Sequence, residues 1–441
     1  MTEPTSEEKT LTEPEHLDLR DPHFRAKAYD TYADMRARGP VARVRFTPGD
    51  DDEEEGGQAR GPFRRPVFMV TRYQEAVEAL LDERFTMDAR TTMTPEQLEK
   101  LPPTPEEFRP LSRSILSVDP PDHTRLRKLV QPSFSERAMK SLRPRVQQIA
   151  EDLLTAAERA AAERGEAHPD RQMDLIESYA YPLPITVISE LLGVPEEDRA
   201  NIRRWSEAIF SGGRARDQGL SDEARASLRE FTDYLRDLFE RKRHEPTDDL
   251  ISELVHAEED GDVLSEDELL SMVFILIVAG HITTVNLIGN AVLALLTHPD
   301  QLERLKQDPT LAKAAVEETL RYWGPAETVV PRFAREDIQI DGICIPKGEP
   351  LMVSLASADR DPARFPDPDE FELDRAEANR HIAFGKGIHM CLGAPLARLE
   401  GQTALNVLFT RMPDLRLATA PEEVAWRAGF LRGIDRLPIR F

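Results

Sequence analysis

Cysteine is nearly absent: Cys344 and Cys391 are the two in 441 residues. That count excludes a disulfide framework and fits a reducing compartment. Positive charge is in short supply, with 57 Lys and Arg against 81 Asp and Glu and a formal net charge of −24. A general nucleic-acid binder needs a basic face for phosphates, so that class is excluded. Long apolar runs are missing as well. The strongest, 269–280, falls short of the roughly 20 residues of a bilayer span and reads as a buried helix. Residues 1–8 are polar and acidic, without the basic start or apolar run of a signal peptide. No membrane partner is expected, and the expected location is the cytoplasm.

What remains is a globular composition, 40% hydrophobic and 31% charged, with ample chain to bury a core. Residues 1–19 are rich in Glu, Thr and Pro and are expected to be a disordered tail, leaving 20–441 as one domain. Helical spacing of Phe24, Ala28, Tyr29, Tyr32 and Met35 marks a helix over 21–38. Segments 41–46 and 66–70 read as strands. The acidic stretch between them, 49–62, reads as a solvated hairpin insertion, because successive like charges repel. From 74 to 323 helices dominate, the longest over 135–164, 221–243 and 265–297. In the last of these Ser265 and Glu268 form a capping box, and the apolar middle predicts a helix that crosses the core. After Gly324-Pro325 the short runs 329–333, 338–340, 343–345 and 350–353 read as strands. The fold class is mainly α with small peripheral β-sheets.

The densest chemical signal is Phe384-Gly385-Lys386-Gly387-Ile388-His389-Met390-Cys391-Leu392-Gly393, directly before a predicted helix over 394–410. A thiolate near a helix N-terminus is stabilised by backbone N–H groups and the positive dipole end. Such a cysteine can be a nucleophile, a metal ligand or a buried structural thiol. Cys344, in a strand before a turn, reads as a packed thiol. Glu318 and Arg321 are three apart on a helix and can pair, but Glu317 is four from Arg321, so spacing leaves the partner open. Midway along the long helix lies Ala279-Gly280-His281-Ile282-Thr283-Thr284, where glycine weakens the helix by about 1 kcal/mol. His123 and Arg127, at i and i+4, share one helix face.

The full string, Phe-Gly-x-Gly-x-His-x-Cys-x-Gly at fixed spacing, resembles the haem-ligand loop of the cytochrome P450 family, the haem-thiolate monooxygenases. The resemblance implies haem b (iron protoporphyrin IX) between the long helix and this loop. Cys391 would be its axial thiolate ligand, pushing electron density onto the iron as haem thiolates do. Gly385 and Gly393 would leave room beside the porphyrin, and Phe384 would pack on its proximal side. The resemblance selects Glu318 as the partner of Arg321, with Arg375 as third member of a structural cluster. It makes 279–284 the oxygen-binding groove, where small Ala279 and Gly280 admit O2 and Thr283 supplies a hydroxyl. The usual acid position of that groove holds Ile282, which can neither donate nor relay a proton. His281 is expected to pack or to face water beside the groove. His123, Arg127, Arg332 and His389 would hold the haem propionates, arginine being suited to them by its fork of donors.

The implied activity is hydroxylation or epoxidation of a small organic substrate with O2. The soluble bacterial branch of the family, which this chain resembles, takes electrons from a separate ferredoxin and its NAD(P)H-dependent reductase. Arg380, Lys386 and Arg398 flank Cys391 in sequence and would suit an acidic ferredoxin through complementary charge. The string Val285-Asn286-Leu287-Ile288-Gly289-Asn290 is similar to actinobacterial enzymes that tailor polyketides, including macrolide-type products. Two rival readings are a peroxide-driven peroxygenase, against which Thr283 argues, and a non-enzymatic haem protein, against which the open groove at Ala279 and Gly280 argues.

Overall fold

The computed structural model describes residues 13–46, 66–101, 104, 107–108, 113–168, 170–211, 221–259 and 262–441. The expected acidic insertion, 49–62, and the first twelve residues of the expected tail lie outside these. In chain order the helices are α1 Pro22–Arg38, α2 Tyr73–Leu81, α3 Pro95–Glu99, α4 Asp122–Val130, α5 Glu136–Glu163, α6 Pro182–Leu192, α7 Arg199–Ser211, α8 Asp222–His244, α9 Leu250–Val255, α10 Glu266–Thr297, α11 Pro299–Gln307, α12 Ala312–Trp323, α13 Leu355–Ala358 and α14 Ala394–Arg411. The strands are β1 Glu15–Leu17, β2 Val41–Phe46, β3 Val67–Val70, β4 Phe85–Thr86, β5 Gln172–Asp174, β6 Glu258–Glu259, β7 Asp262–Val263, β8 Arg332–Ala334, β9 Ile338–Ile340, β10 Ile343–Ile345, β11 Pro350–Val353, β12 Arg416–Leu417 and β13 Pro438–Arg440. The chain divides into two compact units, Met1–Leu101 with Asn290–Cys391 and Ala420–Asp435, and Pro102–Gly289 with Leu392–Thr419 and Arg436–Phe441.

The first unit is built on a six-stranded sheet in the order β1-β2-β3-β11-β8-β4. Every residue of β3 is buried, as expected of a strand covered on both faces. The two-residue period sorts its side chains: Phe68 and Val70 join one core with Leu351, Val353 and Ala79, whereas Val67 and Met69 join another with Tyr32, Met35 and Met352. Helix α1 covers the second core; Asp21 caps it by accepting the His23 N–H at 2.8 Å, with Pro22 at its first position. For residues 15–19 the expectation of disorder is corrected here. Strand β1 pairs parallel with β2, Glu15 to Val44 and Leu17 to Phe46, and Leu17 and Leu19 are buried with the α1 core. Apolar anchoring at two positions outweighs the polar composition around them. The strand expected over 329–333 begins only at Arg332, after Pro331, which has no N–H to give a ladder.

In the second unit α14 packs along α5, and the Tyr179 hydroxyl donates to the Ala404 carbonyl at 2.9 Å. Most of α10 belongs here. Its capping box is made as expected: the Glu268 N–H donates to Ser265 Oγ at 3.3 Å, and the Ser265 N–H donates to the Glu268 carboxylate at 2.9 Å. At 32 residues α10 is long and apolar enough to cross a membrane, yet its most apolar window is 72% buried within the protein, as a core helix requires. A three-stranded sheet, β12-β13-β5, completes the unit.

Charged side chains hold the irregular parts of the first unit. Glu318 on α12 is fully buried and accepts from Arg321 Nε at 2.8 Å and Nη2 at 2.7 Å, from Arg375 Nε at 3.0 Å and from the Glu372 N–H at 3.1 Å. Neighbouring Glu317 turns instead to His381 Nε2 at 3.2 Å, which resolves the partner that helical spacing leaves open. Replacing one member of such a cluster leaves uncompensated buried charge. Glu318→Ala, stranding Arg321 and Arg375, should lower the unfolding free energy by about 3–5 kcal/mol in denaturant titration, or abolish folded yield.

Candidate functional site

The 384–393 loop owes its path to glycine. Gly385 and Gly387 lie in the left-handed region at φ 69° and 77°. A Cβ on Gly387 would also stand 2.9 Å from the Leu80 carbonyl oxygen, so nothing larger fits. The loop is closed by the Cys391 N–H, which donates to the Phe384 carbonyl at 2.8 Å, and by the Met390 N–H, which donates to Gly387 at 3.1 Å. Cys391 itself is exposed. Two residues later Gly393 stands at the N-cap of α14 and accepts the Ala397 N–H at 2.9 Å. The carbonyl beside Gly387 is shared: Arg332 donates through Nη1 to Leu80 at 2.8 Å and to Ala79 at 3.3 Å. Phe384, Gly385, His389, Cys391 and Arg332 are therefore brought together in the first unit. Cys344 is half-buried in β10 opposite Gln339, a strand thiol with no part in this loop.

On α10 the polar pattern is narrow. Ala279 is exposed and Gly280 and Thr283 are partly so, whereas His281, Ile282 and Thr284 are buried. Thr283 Oγ1 donates to the Ala279 carbonyl at 2.7 Å, Thr284 Oγ1 to Gly280 at 3.2 Å, and His281 Nδ1 to Ile277 at 2.7 Å. A carbonyl only accepts, so His281 carries its proton on Nδ1. Burial lowers its pKa to about 4, and its ring packs edge-on to Tyr181 at 5.8 Å. It packs, neutral, and is no acid at ordinary pH. Ile282, at 8% exposure, leaves this stretch without a carboxyl.

The same unit holds His123 and Arg127 one turn apart on α4. His123 is buried, and burial, followed by the Arg127 charge, lowers its pKa. It also contains a group that the sequence reading did not single out. Glu400 on α14 is 1% exposed, and burial pushes its carboxyl up to about 8; Thr284 is the polar neighbour that tempers the shift. Its signal was present in the helix period, since Leu396, Glu400, Thr403 and Val407 share a face that the flanking apolar residues mark as buried.

A cytochrome P450 family profile matches residues 214–412. The chain is 45% identical to the cytochrome P450 monooxygenase PikC of Streptomyces venezuelae, over 99% of this chain and 97% of that protein. It is 44% identical to the polyketide biosynthesis cytochrome P450 PksS of Bacillus subtilis, over 85% of this chain and 89% of that protein. The solved structure of PksS matches with a TM-score of 0.81 over 95% of this chain and 99% of that one, at 39% identity. The P450 monooxygenase TamI bound to tirandamycin C matches with a TM-score of 0.80 and 39% identity over 97% of this chain and 100% of that one.

The Glu400 carboxyl yields a test. Its pKa rises from 4.5 to about 8 on folding, so its contribution to stability is full below pH 4.5 and is lost as pH rises through 8. The unfolding temperature of the parent should therefore fall relative to that of Glu400→Gln as pH is raised from about 5 to about 8. Parallel pH profiles for the two proteins would show that the carboxyl ionises at its ordinary value.

Proposed function

Since the chain belongs to the cytochrome P450 family and is a monooxygenase, we propose that it hydroxylates or epoxidises a polyketide or macrolide-type natural product. In this reading residues 20–441 act as one catalytic domain in the cytoplasm, supplied with electrons by a separate ferredoxin and its NAD(P)H-dependent reductase. The observation that carries the reading is Cys391, an exposed thiol at the closed end of a loop that turns through left-handed glycines at Gly385 and Gly387, the second with no room for a Cβ. The substrate class is supported by the likeness to PksS, a polyketide biosynthesis cytochrome P450.

The residues present fit a haem. A soft sulfur donor suits the iron, and Cys391 is exposed to take it. When bound, the haem supplies O2 activation. Around it, His389, Arg127 and His123 would meet the propionates. Arg332, fixed in place by Nη1 on the Ala79 and Leu80 carbonyls, would present its planar guanidinium to the same carboxylates. Phe384, half-buried beside Gly385, would cover the proximal side.

Thr283 can hold or pass a proton only by turning its hydroxyl away from the Ala279 carbonyl. Ile282 next to it supplies no acid. A hydroxyl of the substrate, or an ordered water seated by it, completes the proton path in this reading. The rival readings become outcomes of the same experiments: turnover with peroxide alone would favour a peroxygenase, and no turnover with either supply would favour a non-enzymatic haem protein.

Two measurements test this. Reduced protein with carbon monoxide should show the long-wavelength band of thiolate-ligated haem, which Cys391→His should lose and Cys344→Ser should keep. Loss in Cys344→Ser alone would place the ligand elsewhere. For the proton path, hydrogen peroxide released per NAD(P)H should be higher for a substrate analogue lacking the assisting hydroxyl than for the substrate itself. Ile282→Glu should narrow that gap, and equal peroxide yields from both compounds in the parent would reject substrate assistance.

A further inference from the structure

Behind the glycine loop, within the first unit, lies a set of ionisable side chains that the ligand reading does not use. His381 is 8% exposed and both of its ring nitrogens are engaged. Nδ1 accepts the Ala383 N–H at 3.1 Å, and Nε2 lies 3.2 Å from the Glu317 carboxylate. An imidazole that accepts at Nδ1 must carry its proton on Nε2, so the ring is held as one neutral tautomer that donates to Glu317. Asp359, 1% exposed, accepts the Ile382 N–H at 2.7 Å. Burial pushes this carboxyl up to about 7, and it can accept that bond in either protonation state.

Two successive backbone N–H groups, those of Ile382 and Ala383, are thus held by side chains and not by a ladder. The next residue is Phe384, whose carbonyl takes the Cys391 N–H at 2.8 Å and whose ring stands 5.8 Å from that of His381. The Gly385 N–H returns to the Ile382 carbonyl at 2.7 Å, which makes 382–385 one tight turn. Its far anchor is rigid, because Glu317 adjoins Glu318 on α12, and Glu318 is fixed by Arg321 and Arg375.

We infer that His381, gripped by Glu317, is a positioning residue that fixes the 382–384 backbone so that the Phe384 carbonyl engages the Cys391 N–H. The inference rests on the reading of Cys391 as the haem ligand. Its consequence is electronic as well as mechanical. The donor strength of a thiolate falls with each N–H that hydrogen-bonds its sulfur. While the Phe384 carbonyl is in place, the Cys391 amide is occupied. If that carbonyl moves, the amide is released beside its own sulfur, and a hydrogen bond there would weaken donation to iron and with it the bond that the thiolate band reports.

The test uses purified haem-loaded protein and three variants. His381→Asn keeps an acceptor for Ala383 but cannot reach Glu317; His381→Gln keeps a donor for Glu317 but not the turn; His381→Ala keeps neither. The readouts are the rate at which the carbon monoxide complex loses its thiolate band at fixed temperature, the haem reduction potential, and the unfolding temperature. His381→Ala should lose the band about tenfold faster than the parent, the scale typical of outer-shell ligand partners. Its potential should shift upward, and the two conservative variants should fall between it and the parent. Parent-like band lifetimes and potentials in Asn and Gln variants overturn the inference. So does a faster loss that merely tracks a lowered unfolding temperature with no change in potential. A parent that never shows the thiolate band overturns the ligand reading itself, and this inference with it.

Discussion

A carboxylate out of reach of water must have its lone pairs met by the protein, and Glu318 meets that demand with four donors. Arg321 answers in kind. Its five N–H groups are spent on the two Glu318 oxygens and on the carbonyls of Asp359, Pro368 and Glu370. Arg375 adds bonds to the Asp367 and Glu370 carbonyls. The stretch from Asp359 to Arg375 has almost no regular secondary structure. Several of its carbonyls find their donors in the two guanidinium groups, which stand in for the missing ladder. A hydrophobic replacement of the cluster could match its burial but could not satisfy these carbonyls.

The second unit solves the opposite problem. Along 277–284, side chains add to a helix whose backbone bonds are already made. His281, Thr283 and Thr284 each return a hydrogen bond to a carbonyl four residues earlier. Such back-bonding quiets polar groups on an otherwise apolar helix, at some cost to its regularity. The outcome is a core helix that shows polarity at few points. Within 277–284 exposure is confined to Ala279, with Gly280 and Thr283 partly open, and Ile282 beside them carries no carboxyl. A buried acid of this unit, Glu400, lies on another helix, where burial pushes its carboxyl up to about 8.

Legibility in the sequence followed the locality of the cause. The capping box at Ser265 and Glu268, the strand pair at Ile338–Ile340 and Ile343–Ile345, and the glycine path of the 384–393 loop are set by residues a few positions apart. Strand β1 was missed because its stability comes from β2, nearly thirty residues later, and from burial of Leu17 and Leu19 under α1. Helix α11 was missed although Pro299 at its first position and Asp300 in its first turn are ordinary start signals; its short apolar set, Leu302 and Leu305, is too sparse to show a period. Glu400 was passed over because a lone acid in a helix usually faces water, and only the packing of α14 reveals that this one does not.

The adjacency of Glu317 and Glu318 shows how one helical turn can do two tasks. Neighbouring residues on a helix point about 100° apart, so two carboxylates in succession can reach partners on different sides. Glu318 faces Arg321 and Arg375, whereas Glu317 faces His381. One side of α12 therefore orders the irregular chain from Asp359 to Arg375, and the next side orders the turn that leads into the glycine loop. Arg321 also donates to the Asp359 carbonyl while the Asp359 carboxyl takes the Ile382 N–H, so the two sides are linked through a single residue. A helix with one acid at this point could anchor either segment. With two, the position of the Cys391 loop becomes coupled to the same buried charges that stabilise the unit, and substitutions at Glu317, His381 and Asp359 would not act additively.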